Sequence, residues 1–326
     1  MSYQIIVEPS GKRFTVEPGQ SVLEAALAQD VPLKHGCASG SCGDCKGKIL
    51  EGNGQQGAFL PLLLSPEERA NGAAILCKFK PESDLRIQAE LTRAEHWQAE
   101  IVALEPLAAD VMGLWLKPDR AFPFIPGQYL RVEVPGHPGV WRSYSLAHRP
   151  RTDGLVGLQI RRAPDGLFST QLFGQLKAGD QLTLSAAQGE FRLHGDSPHD
   201  ILCIAAGTGL APIEAILEET FALELDRRIH LFFGAKRERD LYHVQKLEAW
   251  AREHPNFTFT PTVSDPEDSH WSGARRLLPS VMQHGPWQDH EVYLCGSPGM
   301  IEAALELLRS HHSSMDQIHF DAFTPN

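Results

Sequence analysis

The hydrophobic and polar positions divide the chain into three textures. Residues 4–8 and 13–17 read as short strands separated by Pro9-Ser10-Gly11-Lys12, a good turn. Ser21 stands as a helix N-cap, with Glu24 three residues later completing a capping box ahead of the apolar face Leu23, Ala26 and Leu27. Residues 46–51 read as a return strand, and Ser65-Pro66-Glu67-Glu68 opens a short helix. Around residues 83–98 the chain turns polar, with Glu90, Thr92, Arg93, Glu95 and His96, and a linker or domain junction is expected there. From residue 98 to about 193 short β-rich runs are broken by Pro126-Gly127, Pro135-Gly136 and Gly179-Asp180, which predicts a small antiparallel barrel. From Asp200 the texture changes once more. Strand-like runs at 201–205, 229–233, 257–263 and 291–295 alternate with helical stretches such as 212–225 and 298–311, as in a parallel α/β sheet.

Composition bounds this picture without altering it. A chain of 326 residues is long for one domain, and two or three are expected. Apolar content of 42% and charged content of 22% are those of a globular protein. No apolar run reaches the roughly 18 residues a membrane-spanning helix needs, and no signal peptide is read at the start, so a cytoplasmic location is expected. A net charge of −11 supplies no basic stripe for phosphates, which argues against nucleic acid as a partner.

The cysteines change the picture most. Cys37, Cys42 and Cys45 form a C-x4-C-x2-C run, and Cys77 follows at a distance. This is the ligand spacing of a plant-type [2Fe–2S] centre, in which four thiolates hold two irons. Gly36, Gly40 and Gly43 leave room for the backbone to curl round a cluster and aim N–H groups at its sulfurs. A zinc knuckle, a disulfide pair and plain buried thiols are the alternatives. Zinc sites usually pair two close C-x2-C or C/H units, and this chain has one such pair. Cys203, inside an apolar run, reads as a packed core residue.

With its hairpin, helix, cysteine loop and return strand, the segment of about residues 1–92 resembles the β-grasp ferredoxin domain. Three motifs in the β-rich middle, Pro126-Gly127-Gln128-Tyr129, Arg142-Ser143-Tyr144-Ser145 and Gly166-Leu167-Phe168-Ser169-Thr170, resemble the flavin-binding barrel of the ferredoxin–NADP reductase family. The resemblance implies FAD more than FMN. Tyr144 would cover the flavin ring, and Ser145 would sit near N5, where hydride arrives. Arg142 would fork onto the pyrophosphate, while Ser169 and Thr170 after Gly166 would lie at an anion-binding helix N-terminus. Ile160 and Arg161, between the last two motifs, belong to the same expected flavin site.

A strand running into Gly207-Thr208-Gly209-Leu210-Ala211-Pro212 and then a helix can present N–H groups to a phosphate, although the third glycine of the dinucleotide fingerprint is missing. That wording, together with Cys295-Gly296-Ser297-Pro298-Gly299-Met300, is similar to the nicotinamide-binding motifs of the same family. The resemblance implies that Cys295 lies beside the carbon that donates hydride; a buried strand-end thiol is the alternative reading. Ser297 replaces the usual first proline. Asp240-Leu241-Tyr242 favours NADH, whereas Lys236, Arg237 and Arg239 could pair with the extra phosphate of NADPH. Phe323, in the tail, is the aromatic expected over the flavin face, with plain packing as the alternative.

Over its whole length the chain resembles the three-domain NAD(P)H reductases with an N-terminal ferredoxin, among them reductase components of ring dioxygenases and of phenol and methane monooxygenases, and the CDP-6-deoxyglucoseen reductase-like proteins. The expected fold is multidomain α+β and α/β: a β-grasp ferredoxin (1–92), an antiparallel flavin-binding β-barrel (97–197) and a parallel α/β nucleotide-binding domain (198–326). The resemblance implies an oxidoreductase that takes a hydride from NADH onto FAD and passes single electrons through the cluster to a partner protein, an oxygenase or similar metalloenzyme. A redox sensor or electron carrier with little NAD(P)H turnover is the alternative. The acidic neighbourhood of the cluster, Asp44 and Glu51 included, is the expected docking face.

Overall fold

The computed structural model describes residues 2–92, 95–268 and 270–323. Its contacts divide the chain into two compact units, Met1–Glu95 and His96–Asn326.

In the first unit strands β1 (Tyr3–Glu8), β2 (Lys12–Val16), β3 (Lys46–Glu51), β5 (Ala73–Ile75) and β7 (Leu85–Gln88) form a five-stranded sheet in the order β2-β1-β7-β3-β5, while β4 (Gly54–Gln56) pairs with β6 (Phe79–Pro81) apart from it. Helix α1 (Val22–Ala28) opens on the expected capping box: Ser21 accepts from the Glu24 amide and Glu24 accepts from the Ser21 amide. It buries Val22, Leu23, Ala25 and Ala26. Helix α2 (Pro66–Ala70) opens on a second such box, Ser65 with Glu68. The polar stretch read as a linker or domain junction holds the boundary between the two units and is partly strand. β7 pairs parallel with β1 through Ile5↔Leu85 to Glu8↔Gln88, and its Leu85 and Ile87 are buried while Arg86 and Gln88 face out. The two-residue alternation of so short a strand is hidden among the charges around it. Arg93 lies outside the described residues.

The second unit begins with six strands: β8 (His96–Ala108), β9 (Val111–Pro118), β10 (Tyr129–Glu133), β11 (Trp141–Ser145), β12 (Val156–Arg161) and β13 (Gln181–Ser185), ordered β11-β10-β13-β8-β9-β12. Every pair is antiparallel, and a bridge between Leu146 and Leu158 closes the two edges on each other. Alternate strand residues fill the interior, among them Ile101, Leu114, Leu130 and Leu158, joined by Phe168 from the helix after β12. Helix α3 (Leu167–Gly174) caps this barrel.

Six further strands, β14 (Asp200–Ala206), β15 (Ile229–Ala235), β16 (Phe257–Val263), β17 (Ala274–Arg275), β18 (His290–Gly296) and β19 (Ile318–Ala322), make a wholly parallel sheet in the order β17-β16-β15-β14-β18-β19. Helices α4 (Leu210–Ala222), α5 (Val244–Glu253), α6 (Leu277–His284) and α7 (Pro298–Ser310) connect them. The central strands are buried on both faces, which is why they read as unbroken apolar runs. Cys203 lies fully buried among them, as expected. No helix is long and apolar enough to cross a membrane among the described residues.

Candidate functional site

The cysteine loop follows α1 and carries three residues with left-handed backbone: Ala38 (φ 53°), Gly40 (φ 86°) and Gly43 (φ 85°). A side chain at Gly40 would also stand 3.1–3.2 Å from Lys78, the Ala58 carbonyl and Phe59, so this turn has room for glycine and little else. The fold brings all four predicted ligands together as two hydrogen-bonded thiol pairs, Cys37 with Cys42 and Cys45 with Cys77. All four are free of disulfides. Within the first pair the amides of Ser39 and Ser41 donate to the Cys37 sulfur at 3.4 and 3.3 Å, and the Cys37 amide donates to the Cys42 sulfur at 3.3 Å. The Cys42 thiol, followed by these donors, pushes Cys37 down to about 3, while Cys42 is raised beside it. Four converging sulfurs with N–H donors aimed at them suit a cationic centre with thiolate ligands, and the close pairing suits two metal ions better than one. Glu51, expected on the docking face, has its charge answered by Arg86 at 3.3 Å, and Asp44 is half-buried.

On β11, Arg142 and Tyr144 fall on one face by the strand's two-residue period, and Ser145 ends the strand. The Tyr144 ring leans on Phe168, with centroids 5.5 Å apart. Arg142 gives Nη1 to the Trp141 carbonyl at 2.9 Å, one of its five donors. Ser145 is buried, and its Oγ has no hydrogen-bond partner. A buried, orphaned hydroxyl at the end of a strand that carries an aromatic ring and a guanidinium fits a flavin, whose ring has polar edges round a flat apolar body. Gly166 is the N-cap of α3 and has no side chain to satisfy the first amides. Ser169 Oγ is turned inward, accepting from the Ala163 amide at 3.1 Å, whereas Thr170 is exposed. The Ile160 side chain is fully buried in the barrel interior.

The second turn of interest leaves β14. Gly207 takes φ 56°, and a side chain there would meet the Arg161 guanidinium at 2.8 Å. Gly209 is packed so closely on β18 that a Cβ would stand 2.3 Å from the Cys295 carbonyl oxygen. Thus Gly207, Thr208, Gly209, Cys295, Gly296 and Arg161 converge. Helix α4 begins at this turn without a side-chain cap and with Pro212 in its first turn, so its N-terminal amides and dipole face the glycines. Cys295 itself is wholly buried, and burial pushes its thiol well up, so it stays protonated. Ser297, in place of the family's proline, caps α7 by accepting from the Met300 amide at 3.4 Å. Phe323 packs against the core of this sheet, its amide donating to the Gly296 carbonyl at 2.8 Å. Thr324 to Asn326 lie outside the described residues.

Two polar groupings were not legible beforehand. Gln159, Tyr242, Glu214 and His243 form a buried chain linking the barrel to the parallel sheet. At the opposite end of that sheet His194, Glu291 and His319 bring their ligating atoms within 4.8 Å of one another. The two imidazoles are stacked, however, with centroids 3.9 Å apart and planes inclined by 11°. A metal binds in the plane of each imidazole it joins, and two nearly parallel stacked rings share no such point. As arranged, this is a hydrogen-bonded pair, His319 Nε2 to Glu291 at 2.6 Å, with a ring laid over it.

Comparison with known proteins agrees with this geometry. Residues 5–82 match the 2Fe-2S iron-sulfur cluster binding domain, 99–193 the oxidoreductase FAD-binding domain and 203–306 the oxidoreductase NAD-binding domain. The chain belongs to the iron–sulfur flavoprotein reductases of the ferredoxin–NADP reductase superfamily. The reductase is 35% identical to the xylene/toluene monooxygenase electron transfer component XylA of Pseudomonas putida, over 94% of this chain and 89% of that one. It is 30% identical to the CDP-6-deoxy-L-threo-D-glycero-4-hexulose-3-dehydrase reductase of Yersinia pestis, over all of both chains. The crystal structure of the Amycolatopsis cytochrome P450 reductase GcoB superposes with a TM-score of 0.75 at 32% identity, covering 99% of each chain. The reductase is therefore an NAD(P)H-dependent oxidoreductase with 2Fe-2S, FAD-binding and NAD-binding domains, and the expected multidomain fold is borne out.

Proposed function

We propose that the reductase draws electrons from NADH and delivers them singly to an oxygenase or similar metalloenzyme. The observation that carries this reading is the four-sulfur cage in the same chain as the glycine turn backed onto Cys295. FAD, when bound, accepts two electrons together as hydride and releases them one at a time, and a [2Fe–2S] centre carries one at a time. The chain's residues do the rest. Cys37 and Cys42 would hold one iron, and Cys45 and Cys77 the other, following the two thiol pairs. Arg142 would fork onto the FAD pyrophosphate, assisted by the first amides of α3 after Gly166. The hydroxyl of Ser169 is already committed to the backbone, which leaves its amide and the exposed Thr170 hydroxyl for that role. Tyr144 would stack on the ring, Ser145 would turn its orphaned hydroxyl toward N5, and Phe323 would shield the ring's other face. Gly207, Thr208 and Gly209 would present amides to the NADH pyrophosphate at the start of α4, where Pro212 fixes the first turn. Cys295 and Gly296 would form the floor under the nicotinamide, the thiol acting by shape, since it holds its proton.

A preference for NADH is supported by the basic segment after β15. Arg237 Nε pairs with Asp265 at 2.8 Å, and Asp240 caps the Arg237 amide at 3.0 Å, so Arg237 is not set aside for a 2′-phosphate. The partner class is supported by relatives whose names describe reductase components of phenol and propane monooxygenases and of terephthalate dioxygenase. Four free thiols held as ligands are best kept in a reducing compartment, which supports the cytoplasm.

The test is to replace Cys42 with serine in the holoprotein. Flavin bleaching by NADH should continue at the wild-type rate, while reduction of cytochrome c, a one-electron acceptor, should fall to background. Surviving cytochrome c reduction would remove the cluster from the electron route. A wild-type protein whose flavin is not bleached by NADH would favour the carrier reading instead.

A further inference from the structure

The buried chain between barrel and sheet rests on a fixed polarity. Glu214, on α4, is 0% exposed. Burial alone would raise its carboxyl, but His243 and Lys246, with a hydrogen bond from Gln159, hold it below the usual carboxylate range. His243 Nδ1 stands 2.8 Å from Glu214 Oε1, and Lys246 Nζ is 3.5 Å from Oε2. A carboxylate only accepts, so Gln159 on β12 must turn its Nε2 to Glu214, which it does at 2.7 Å. The amide oxygen of Gln159 then has to face the other way, and there the Tyr242 hydroxyl donates to it at 2.7 Å. The same hydroxyl lies 3.3 Å from the carbonyl oxygen of Gly207, the first residue of the glycine turn. One rigid line of polar groups therefore runs from α4 through the flavin-barrel strand to the turn proposed to hold NADH.

Two further features show that the line is held under constraint. His243 takes a left-handed conformation (φ 56°), which an L residue with a side chain adopts only where its surroundings enforce it. The same residue makes the 2.8 Å contact with Glu214. Two residues beyond Gln159 on the same strand, Arg161 pairs with Asp110 at 3.1 Å and packs its guanidinium over Gly207. The end of β12 thus meets the glycine turn twice, through Tyr242 and through Arg161.

We propose that Gln159 and Tyr242 are positioning residues: their hydrogen bond, anchored by Glu214, sets the spacing between strand β12 and the glycine turn, and with it the approach of the nicotinamide to the flavin. This rests on the reading that NADH on the sheet reduces a flavin on the barrel. The chemistry gives the joint its importance, because hydride transfer needs reacting atoms about 3–3.5 Å apart, and a displacement of about 1 Å can cost about 100-fold in rate. Tyr242, singled out in the sequence as part of the run that favours NADH, is buried beneath the turn.

The test is anaerobic stopped-flow reduction of the holoprotein by NADH, for wild type, Tyr242→Phe, Gln159→Leu and the double variant. Wild-type bleaching establishes the underlying reading by itself; its absence would sink that reading and leave the variants without a baseline. Given it, Tyr242→Phe, which removes one oxygen and keeps the ring, should lower the limiting rate about 10-fold or more. The NADH dissociation constant should shift less than about 3-fold, with flavin content and melting temperature near wild type. The double variant should be no slower than the slower single variant, because both remove one bond. A limiting rate unchanged in Tyr242→Phe, an effect confined to the dissociation constant, or losses that multiply in the double variant would each overturn the proposal. Should Gln159→Leu fail to fold with its flavin, the rate-against-affinity split in Tyr242→Phe decides alone.

Discussion

Ser145 carries a hydroxyl that the folded chain buries and does not satisfy, and such a group costs about 1–3 kcal/mol. Replacing it with alanine should therefore raise the melting temperature of FAD-free protein. The same substitution in the holoprotein should slow NADH-driven bleaching by about 10- to 100-fold, the worth of one hydrogen bond to a charged or developing group. Opposite signs in the two forms are the signature to look for; a lowered melting temperature without FAD would mean that the hydroxyl serves the barrel and not a ligand. Glycine has an equally local reason at position 209. A Cβ 2.3 Å from the Cys295 carbonyl forces the turn away from β18, and Gly209→Ala should raise the NADH dissociation constant at least 10-fold in a flavin-reduction titration.

Among the elements, α1 ties the capping box to the cysteine loop. Its second amide, that of Leu23, donates to the Leu76 carbonyl at 3.2 Å, one residue before Cys77. Ser21→Ala removes the side-chain acceptor for Glu24 and should cost the first unit about 1 kcal/mol. Because the same turn of helix holds Leu76, loss of the cluster's visible absorbance on heating should begin at a lower temperature than in wild type. If the absorbance is lost at the wild-type temperature, α1 and the cluster loop are not coupled. This helix was legible from four residues of sequence, since capping is local. Strand β7 was not: Leu85 and Ile87 gain their meaning only when laid parallel to β1, far away in the chain.

At the scale of the molecule four histidines act in one direction. His148, His194, His230 and His290 are all lowered by burial, His230 to about 4 with His284 and His290 adding to the effect. A histidine held neutral in the fold binds a proton less readily than in the unfolded chain. As pH falls below its ordinary 6.5, the unfolded state takes up more protons, so stability is full above 6.5 and declines toward 4. For His230, which is partly exposed, the loss is on the order of 1–2 kcal/mol across that window. Glu214 and Glu291, held below their ordinary range, extend the decline to still lower pH. His230→Gln keeps a partner for Thr260, which now stands 2.9 Å from Nε2, and cannot titrate. Its melting temperature should fall less steeply between pH 6.5 and 4 than that of wild type; equal slopes would place the acid sensitivity elsewhere.

What the sequence determined by itself is what can be written in contiguous residues. The cysteine spacing, the capping box at Ser21, the helix start at Ser65, the RSYS strand and the glycine turn each express chemistry through neighbours a few positions apart. Tertiary structure alone decided the relations between such pieces. It paired Cys45 with Cys77, set Gly209 against Cys295, and left the Ser145 hydroxyl without a protein partner. It joined Gln159, Tyr242 and Glu214, which lie on three separate segments, and it stacked His194 on His319 so that a ligand-like triad became a hydrogen-bonded pair under a stacked ring. The physical reason is that hydrogen bonds and steric limits act over a few ångströms in space. A linear sequence records such a contact only when the residues that make it are also close along the chain.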